Sequence, residues 1–268
     1  MYEEQICIVV PLHKNKLNDY ERLSLSTIQK HFNKEKKILV TYKENDIEID
    51  NFQRIHFDKI NFQNIDAYNK LCLSLEFYKK FTKYKYMLIC QLDVLILSNK
   101  INKFLKYNLS YIGAPTGKKN PFDRSRKKLW ARKFFCNGGF SLRKIKDFID
   151  VLESNKMNFP INKFILTECM KSGFVRYLSL YYKTLLSNKR FKGLFFAQNL
   201  YVKEDSFWTY FANLFIKDFK MPNLNQCTSF SFDGDPEFYF SRNNGDLPMA
   251  LHGDHEYLKF LKKINYNF

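Results

Sequence analysis

The stretch YKYMLICQLDVLIL at residues 84–97 places one carboxylate, Asp93, within an otherwise apolar run. Residues 86–90 are rich in β-forming side chains and nearly free of polar groups, which predicts a central strand covered on both faces. In open α/β sheets, ligands bind at the carboxyl ends of such strands. A charge at that position is costly unless something binds it, so Asp93 is a candidate ligand-binding residue. An Asp that only caps the following turn is the alternative.

Gln91 lies two residues before Asp93. Successive side chains of an extended segment point to opposite faces, so Gln91 and Asp93 would share one face and Leu92 would lie on the other. The sequence therefore predicts two polar groups side by side where the buried strand ends.

Strand and helix patterns alternate through the first part of the chain. The strand patterns cover residues 6–10, ending at Pro11, and residues 37–41, 54–57 and 86–90. Amphipathic helix patterns run from Asp19, the expected N-cap, to residue 32 and over residues 66–81. This alternation predicts an α/β fold with a mostly parallel central sheet flanked by helices.

Beyond Asp93 the pattern is less regular. Residues 111–114 form a strand pattern that is followed by a proline. Asn137, Gly138 and Gly139 are typical of a turn that lets a ligand approach the backbone, ahead of a helix over residues 141–153. The 268 residues contain neither an internal repeat nor a Gly/Ser linker, so we expect a single domain over residues 1–268.

The chain carries 44 Lys and Arg against 27 Asp and Glu, which gives a formal net charge of +17. Such a charge attracts polyanions, namely nucleic acid, an anionic membrane surface or phosphorylated substrates. The charge is most concentrated in residues 118–133, which hold eight basic residues and one acid. A segment of this kind is either a loop that substrate orders or a solvated surface excursion.

The cysteines and the apolar segments bear on the compartment. The six cysteines are far apart and form no CxxC pair, so neither a zinc module nor a disulfide framework is indicated. Two acids precede the first short apolar run, unlike a signal peptide, and no apolar stretch approaches the ~20 residues of a spanning helix. We therefore expect a cytoplasmic protein whose association with the inner face of the membrane would be peripheral.

Six segments of the chain resemble, in the same order, a bacterial domain-of-unknown-function family of GT-A-fold (Rossmann-like) glycosyltransferases. They are ICIVVPLHK (6–14), AYNKLCLSLEFYKKFTKYKYMLICQLD (67–93), YIGAP (111–115), NGGFSLR (137–143), ED with a nearby aromatic (204–207) and LPMALHG (247–253). The resemblance implies a GT-A-like single domain with a nucleotide-binding half over residues 1–100 and an acceptor-side half over residues 101–268. It also implies an inverting, nucleotide-sugar-dependent glycosyltransferase of cell-surface polysaccharide or glycolipid assembly.

The resemblance assigns a metal site. Gln91, Leu92 and Asp93 correspond to the DxD motif of nucleotide-sugar glycosyltransferases, with Gln91 in place of the first Asp. The last Asp of that motif holds a divalent cation against the donor diphosphate, which implies Asp93 as a ligand of Mn²⁺ or Mg²⁺. His252 is the implied second ligand, with Asp254 and His255 as competitors. A purely structural His252 is the alternative.

The resemblance also assigns acid–base chemistry. Glu204 and Asp205 correspond to the carboxylate pair that carries the catalytic base of many inverting enzymes. We expect Asp205 to be the base and Glu204 to cap the helix or orient a neighbour, while an ordinary capping pair is the alternative. Asp233 and Asp235 are the next candidates for base or metal ligand.

Seven residues are expected at the donor, with Arg143 able to pair with a phosphate. An Arg143 that is merely exposed on a helix is the alternative. The expected donor-binding residues are Pro11, His13, Gln91, Asn137, Gly138, Gly139 and Arg143.

Two other functions compete with this one. A nucleic-acid-binding protein would use the charge and the interleaved basic and aromatic residues of 174–210 for stacking and phosphate contacts, but it leaves Asp93 unexplained. A catalytically inactive GT-A scaffold would follow from Gln91 in place of Asp. Neither GxGxxG nor GxxxxGK[ST] is present, which disfavours dinucleotide and P-loop enzymes. The expected partners are a nucleotide-sugar donor, a saccharide or lipid-linked acceptor and an anionic membrane surface, without specific nucleic acid.

Overall fold

The computed structural model of the chain describes residues 4–116, 135–158, 174–200, 202–253 and 255–266. The basic segment 118–133 and the candidate ligand Asp254 lie outside the described residues. The strands are β1 (Glu4–Pro11), β2 (Lys36–Thr41), β3 (Phe52–His56), β4 (Tyr84–Cys90), β5 (Val94–Ile96), β6 (Tyr111–Thr116), β7 (Phe135–Lys144), β8 (Ser231–Asp233) and β9 (Ala250–His252).

A six-stranded sheet in the order β3-β2-β1-β4-β7-β6 forms the centre of the described structure. Strand β1 pairs in parallel with β2 and β4, and β2 pairs in parallel with β3. Strand β7 runs antiparallel to both of its neighbours, β4 and β6. The interiors of β1 and β4 are apolar and buried, as expected of strands covered on both faces. The prediction of an α/β fold with a mostly parallel sheet is confirmed.

Helices flank this sheet. They are α1 (Asp19–His31), α2 (Ile65–Cys72), α3 (Leu75–Lys79), α4 (Ile101–Lys106), α5 (Ile145–Glu153), α6 (Phe174–Leu186), α7 (Lys192–Asn199), α8 (Glu204–Tyr210), α9 (Leu224–Phe230), α10 (Pro236–Arg242) and α11 (His255–Lys263). Short 3₁₀ helices cover Lys59–Phe62 and Ala212–Leu214. No helix in the described ranges combines the length and the apolar composition that a membrane span requires.

A smaller sheet has the strand order β5-β9-β8. Its strand β5 comes directly after β4 in the chain. Strand β9 is antiparallel to β5, with Val94 opposite His252, and parallel to β8, with Asp233 opposite His252. The start of β5 and the ends of β8 and β9 therefore lie together. This pairing brings Asp93, which precedes β5, beside Asp233 and His252, although Asp93 is more than a hundred residues from either of them in the chain.

The first two helices begin or end differently from the prediction. The N-cap of α1 is Asn18 and not Asp19, because Asn18 and Glu21 form a reciprocal capping box. The predicted helix over residues 66–81 is two helices. The first ends at Cys72, and the side chain of Ser74 caps α3 by accepting from the backbone N–H of Phe77. The apolar spacing is continuous across this break, so periodicity alone does not reveal it.

The predicted turn at Asn137, Gly138 and Gly139 is wrong. These residues lie inside β7, whose pairing extends on one side to β4 and on the other to β6. The helix predicted from residue 141 begins at Ile145 instead. The pairing of β7 with β6 shifts register across these residues, and after them β7 also pairs with β4. The backbone here is therefore set by strands distant in the chain, which the local sequence does not encode.

An aromatic cluster packs α8 against the helices beside it. The ring centroids of Trp208 and Phe148 are 4.1 Å apart, and those of Trp208 and Tyr78 are 5.7 Å apart. All three side chains are fully buried. The cluster joins α3, α5 and α8, and it fixes the helix that begins with Glu204 and Asp205.

We predict that Asn18→Ala lowers the free energy of unfolding by about 1 kcal/mol, because the substitution removes the side chain that accepts from the Glu21 backbone N–H. Urea denaturation measures the loss. Asp19→Ala is the matched control, since Asp19 lies in the first turn and contributes only through the helix dipole, about 0.3–1 kcal/mol. A larger loss for Asp19→Ala than for Asn18→Ala would contradict the cap assignment.

Candidate functional site

A pocket of about 540 Å³ opens at the carboxyl ends of β1 and β4. Pro11 and His13, from the end of β1, and Gln91 and Asp93, from the end of β4, line it. The volume lies within the range of small-molecule sites, about 300–1,000 Å³. The structure therefore brings four of the predicted site residues together at the sheet edge where ligands of α/β proteins bind.

Gln91 and Asp93 reach this pocket from a turn and not from an extended segment. The backbone N–H of Val94 donates to the carbonyl of Gln91 at 3.1 Å, which closes the turn. The backbone N–H of Gly253 donates to the carbonyl of Asp93 at 2.9 Å. The expectation of one shared strand face is thus wrong in its geometry, although both residues line the same pocket.

Phe62, Tyr68 and Lys14 also line the pocket and were not among the predicted site residues. Phe62 and Tyr68 contribute aromatic surface, and Lys14 contributes a cation. His255, the competing candidate for the second metal ligand, lines the pocket as well. The Nζ atom of Lys14 lies 2.5 Å from a carboxylate oxygen of Glu21. The position of Lys14, next to His13 in the loop after β1, was the available sequence signal for it.

His252 lies between two carboxylates. Its Nε2 atom is 3.3 Å from Oδ1 of Asp93, and its Nδ1 atom is 4.0 Å from Oδ1 of Asp233. The imidazole is buried, whereas about half of the Asp93 side chain, 51%, is exposed. The Nδ1 atom has no hydrogen-bond partner among the described residues.

The pKa shifts of this cluster follow from its charges. Burial acts to lower the pKa of His252, but Asp93, Asp233 and Asp205 outweigh it, so the pKa is raised. Burial acts to raise the pKa of Asp93, but the hydrogen bond and charge of His252 outweigh it, so that pKa is lowered. Burial also raises the pKa of Asp233, against the opposing effects of His252 and Asn137. Asp93 and His252 therefore form an ion pair when the imidazole is protonated.

Strand β7 passes directly against this cluster. Asn137 Nδ2 donates to Oδ2 of Asp233 at 3.1 Å, and Asn137 Oδ1 accepts from the Gly139 N–H at 2.6 Å. A Cβ atom on Gly139 would lie 2.5 Å from Oε1 of Gln91 and 2.6 Å from Nε2 of His252. Glycine is required at position 139 because these two side chains occupy the space of its side chain.

Arg143 does not lie at the pocket. It is fully buried, and its guanidinium forms an ion pair with Glu204 at 2.8 Å. All five of its N–H groups have protein acceptors. No N–H group is left for a phosphate, so we do not retain Arg143 as a donor contact, and Glu204 is engaged in holding Arg143.

Asp205 differs from Glu204 in its exposure and its hydrogen bonds. It is partly exposed, and its Oδ1 atom accepts from the backbone N–H of Ser206 at 2.7 Å. Burial, and next the negative charge of Glu204, raise the pKa of Asp205 to about 7. A carboxylate with a pKa near 7 is suited to take up a proton at neutral pH.

The residues at the pocket mouth fit a divalent cation held by two protein groups. The described residues contain no cluster of three or more His, Cys, Asp or Glu side chains arranged for a metal. The two nitrogens of His252 face different carboxylates, so Asp93 and Nε2 of His252 form the convergent pair. Their separation of 3.3 Å is close to the ~3 Å between neighbouring ligand atoms of an octahedral ion. Mg²⁺ characteristically takes one or two carboxylates, with substrate phosphates and water completing the shell.

Several solved glycosyltransferase structures are similar to this chain. Mouse xyloside xylosyltransferase 1, in its apo form, is 11% identical with a TM-score of 0.49, covering 94% of this chain and 98% of that one. The galactosyltransferase LgtC, with donor and acceptor sugar analogs, is 12% identical with a TM-score of 0.43, covering 93% and 86%. The mannosyltransferase PcManGT from Pyrobaculum calidifontis, with GDP-Man and Mn²⁺, is 11% identical with a TM-score of 0.35, covering 53% and 45%. At these values no residue role is transferred from them.

Comparison with curated proteins gives no match. A family model does match, over residues 51–252, and it is described as a protein of unknown function, DUF5672. Because the match extends over most of the 268 residues, the chain belongs to the DUF5672 family.

Proposed function

We propose that the protein is a metal-dependent, inverting glycosyltransferase that moves a sugar from a nucleotide-sugar donor to a saccharide or lipid-linked acceptor of cell-surface polysaccharide or glycolipid. The observation that carries the proposal is the contact between the half-exposed Asp93, which lines the pocket, and the buried His252. An exposed carboxylate backed by an imidazole suits a divalent cation that also binds a diphosphate.

The pocket supports the donor part of the proposal. Its volume of about 540 Å³ and its aromatic wall of Phe62 and Tyr68 suit a nucleotide, whose base would lie near Pro11 and His13. Lys14 lies within electrostatic reach of Asp93 and adds positive charge for the phosphates. In this arrangement residues 1–100 bind the nucleotide, and residues 101–268 supply His252 and Asp205.

The metal and the base have separate tasks. Asp93 and His252 would hold a divalent cation, either Mn²⁺ or Mg²⁺, whose positive charge would offset the charge of the departing diphosphate. Asp205 takes the proton of the acceptor hydroxyl as that oxygen attacks the sugar. Its position supports this role because α2, whose Tyr68 lines the pocket, also binds the first residue of α8 through Asn69.

We predict that one class of nucleotide sugar raises the melting temperature only when Mn²⁺ is present. Asp93→Asn should abolish this Mn²⁺-dependent rise in melting temperature. Thermal shift with UDP-, GDP-, CMP- and dTDP-sugars, with and without Mn²⁺, measures the effect. A ligand at about 100 times its Kd stabilises the fold by ~2.7 kcal/mol. Asp218→Asn is the control, because Asp218 is exposed and does not line the pocket.

Two results would contradict this part of the proposal. One is a panel in which no nucleotide sugar stabilises the wild-type protein. The other is an Asp93→Asn variant that keeps the full metal-dependent shift, which would remove Asp93 from the metal site.

We predict that Asp205→Asn lowers kcat by about 10²–10⁴-fold and leaves donor affinity unchanged, because a general base acts on the acceptor in the transition state. The base works only when deprotonated, so the wild-type rate should rise with pH through about 7 and then level off. Rate measurements across pH, with the exposed Asp218→Asn as control, test this.

The raised pKa of Asp205 also predicts a change in stability. The folded chain binds this proton more tightly than the unfolded chain, so the free energy of unfolding falls as pH rises from the ordinary Asp pKa to about 7. Asp205→Asn should remove that decline, which urea denaturation at several pH values measures. Near-normal turnover of Asp205→Asn would place the base elsewhere, and Asp233 and Asp235 would be tested next.

We further propose that the protein binds the anionic inner face of the membrane through the basic segment 118–133. The net charge of +17 supports this. The residues that carry the positive charge of the segment are Lys118, Lys119, Arg124, Arg126, Lys127, Lys128, Arg132 and Lys133.

We predict that replacing Arg126, Lys127 and Lys128 by Gln weakens binding to anionic liposomes on the order of 10²-fold, since each basic residue near such a surface contributes about 1 kcal/mol. Replacing the exposed Lys34, Lys36 and Lys43 by Gln changes the net charge equally and is the control. Co-sedimentation across a salt series measures binding. Tight, sequence-selective binding of RNA or DNA without preference for anionic lipid would instead favour a nucleic-acid-binding protein.

A further inference from the structure

In the ion pair of Arg143 and Glu204, every N–H group of the guanidinium donates to a protein acceptor. Nη1 of Arg143 donates to the Tyr78 hydroxyl at 3.0 Å and to Oε2 of Glu204 at 3.1 Å. Nη2 donates to the carbonyl of Gly138 at 3.2 Å and to Oε1 of Glu204 at 2.8 Å. Nε donates to Oγ of Ser141 at 3.0 Å. Five donors meet five acceptors, so the guanidinium is fully satisfied without a ligand.

Stability alone does not account for such a pair. Burying two charges removes their hydration, and replacing a buried ion pair by apolar residues of similar volume is often neutral or stabilising. Arg143 is fully buried beside the rings of Tyr111 and Phe148, whose centroids each lie 5.6 Å from the guanidinium carbon. What a bidentate pair adds over apolar packing is a defined relative position of the two elements that carry it.

The two elements in question are β7 and α8. Glu204 is the first residue of α8, and its backbone N–H donates to Oδ1 of Asn69 on α2 at 3.0 Å. A Cβ atom on Gly138 would collide with Oε1 of Glu204, so the carboxylate lies directly against the β7 backbone. The first turn of α8 is therefore held by its side chain to β7 and by its backbone to α2.

Asp205 is the next residue, and its own hydrogen bond is local, to the backbone N–H of Ser206. Its place relative to His252 and the pocket is therefore set by the anchoring of Glu204. Building on the proposed role of Asp205 as base, we propose that Arg143 and Glu204 are positioning residues, which hold Asp205 at the acceptor side of the site.

The pair also acts on the charge of Asp205. The groups that bear on that carboxylate are Glu204 and Lys203 on the same segment, Arg143 on β7 and His252 on β9. Tyr111 on β6 and Cys72 on α2 are also electrostatically linked to it. After burial, Glu204 contributes most to raising the pKa of Asp205, whereas Arg143 lowers it by less. Removing both charges should therefore lower this pKa, and removing Glu204 alone should lower it further.

Carbon-13 NMR titration of the Asp205 carboxyl group in the full chain, assigned with Asp205→Asn, tests the proposal. The variants are Arg143→Met with Glu204→Leu, which exchanges the pair for apolar residues, and Glu204→Gln, which keeps the shape but removes the negative charge. We expect the pKa of Asp205 to fall in the order wild type, double variant, Glu204→Gln. The double variant should remain folded in urea denaturation.

Turnover gives a second readout. We expect the double variant to lose about 10²-fold in kcat with donor affinity unchanged, because the base is misplaced while the donor pocket is intact. Lys79→Met with Glu153→Leu is the matched control, since this pair of 2.7 Å joins α3 and α5 at the surface and should leave Asp205 unaffected.

The pKa measurement needs neither donor nor acceptor, so it separates this proposal from the proposed function. A folded double variant with the wild-type Asp205 titration and wild-type kcat would overturn the positioning role. If the double variant does not fold, an Asp205 pKa in Glu204→Gln equal to that of the wild type would also overturn it. A shifted pKa in variants of a protein that transfers no sugar would support the coupling and overturn only the glycosyltransferase assignment.

Discussion

The arrangement of the site depends on one antiparallel strand in a mostly parallel sheet. Strand β7 hydrogen-bonds to β4 on one side and to β6 on the other. The carbonyl of its Gly139 accepts a hydrogen bond from the Gln91 N–H. Its Gly139 leaves space for Gln91 and His252, and its Arg143 holds Glu204. Displacing β7 by one residue would turn each of these side chains to the opposite face, because side chains alternate along a strand.

Around β7 lie ionisable side chains in buried or partly buried positions, where a charge is costly. Asp93 and His252 stabilise each other across 3.3 Å, which lowers the pKa of the carboxyl and raises that of the imidazole. For Asp205, burial and the charge of Glu204 outweigh the opposing effects of Lys203 and Arg143 and raise the pKa to about 7. One carboxylate is thus kept ionised for a cation and the other is poised to exchange a proton. Carboxylates whose pKa values are shifted in opposite directions are typical of sites with divided chemical roles.

Much of the fold follows from local sequence pattern. The strands at residues 6–10, 37–41 and 86–90 are apolar enough to identify, and Asp93 is notable because it interrupts such a run. What the sequence does not reveal are features that depend on distant pairing. Residues 137–139 belong to β7 because the residues on either side of them pair with β6 and β4, and the position of His252 comes from the β5-β9-β8 sheet.

The same reason explains the misassigned Arg143. Its motif neighbours Gly139, which lies against Gln91 and His252, but pairing with Glu204, 61 residues away in the chain, buries its guanidinium. The contact of Asp233 with Asn137 likewise requires the folded chain. Adjacent carboxylates at 204 and 205 could be recognised from the sequence, whereas which one is sequestered could be read only from the structure.

Anomalous diffraction tests the central claim most directly. Crystals grown with Mn²⁺ and a nucleoside diphosphate would be measured at the manganese absorption edge. A cation bound by Asp93 and His252 should give a single strong peak within coordination distance of both Oδ1 of Asp93 and Nε2 of His252. Nucleotide density in the pocket with no manganese peak there, or a peak held by other residues, would contradict the metal site on which the proposed chemistry rests.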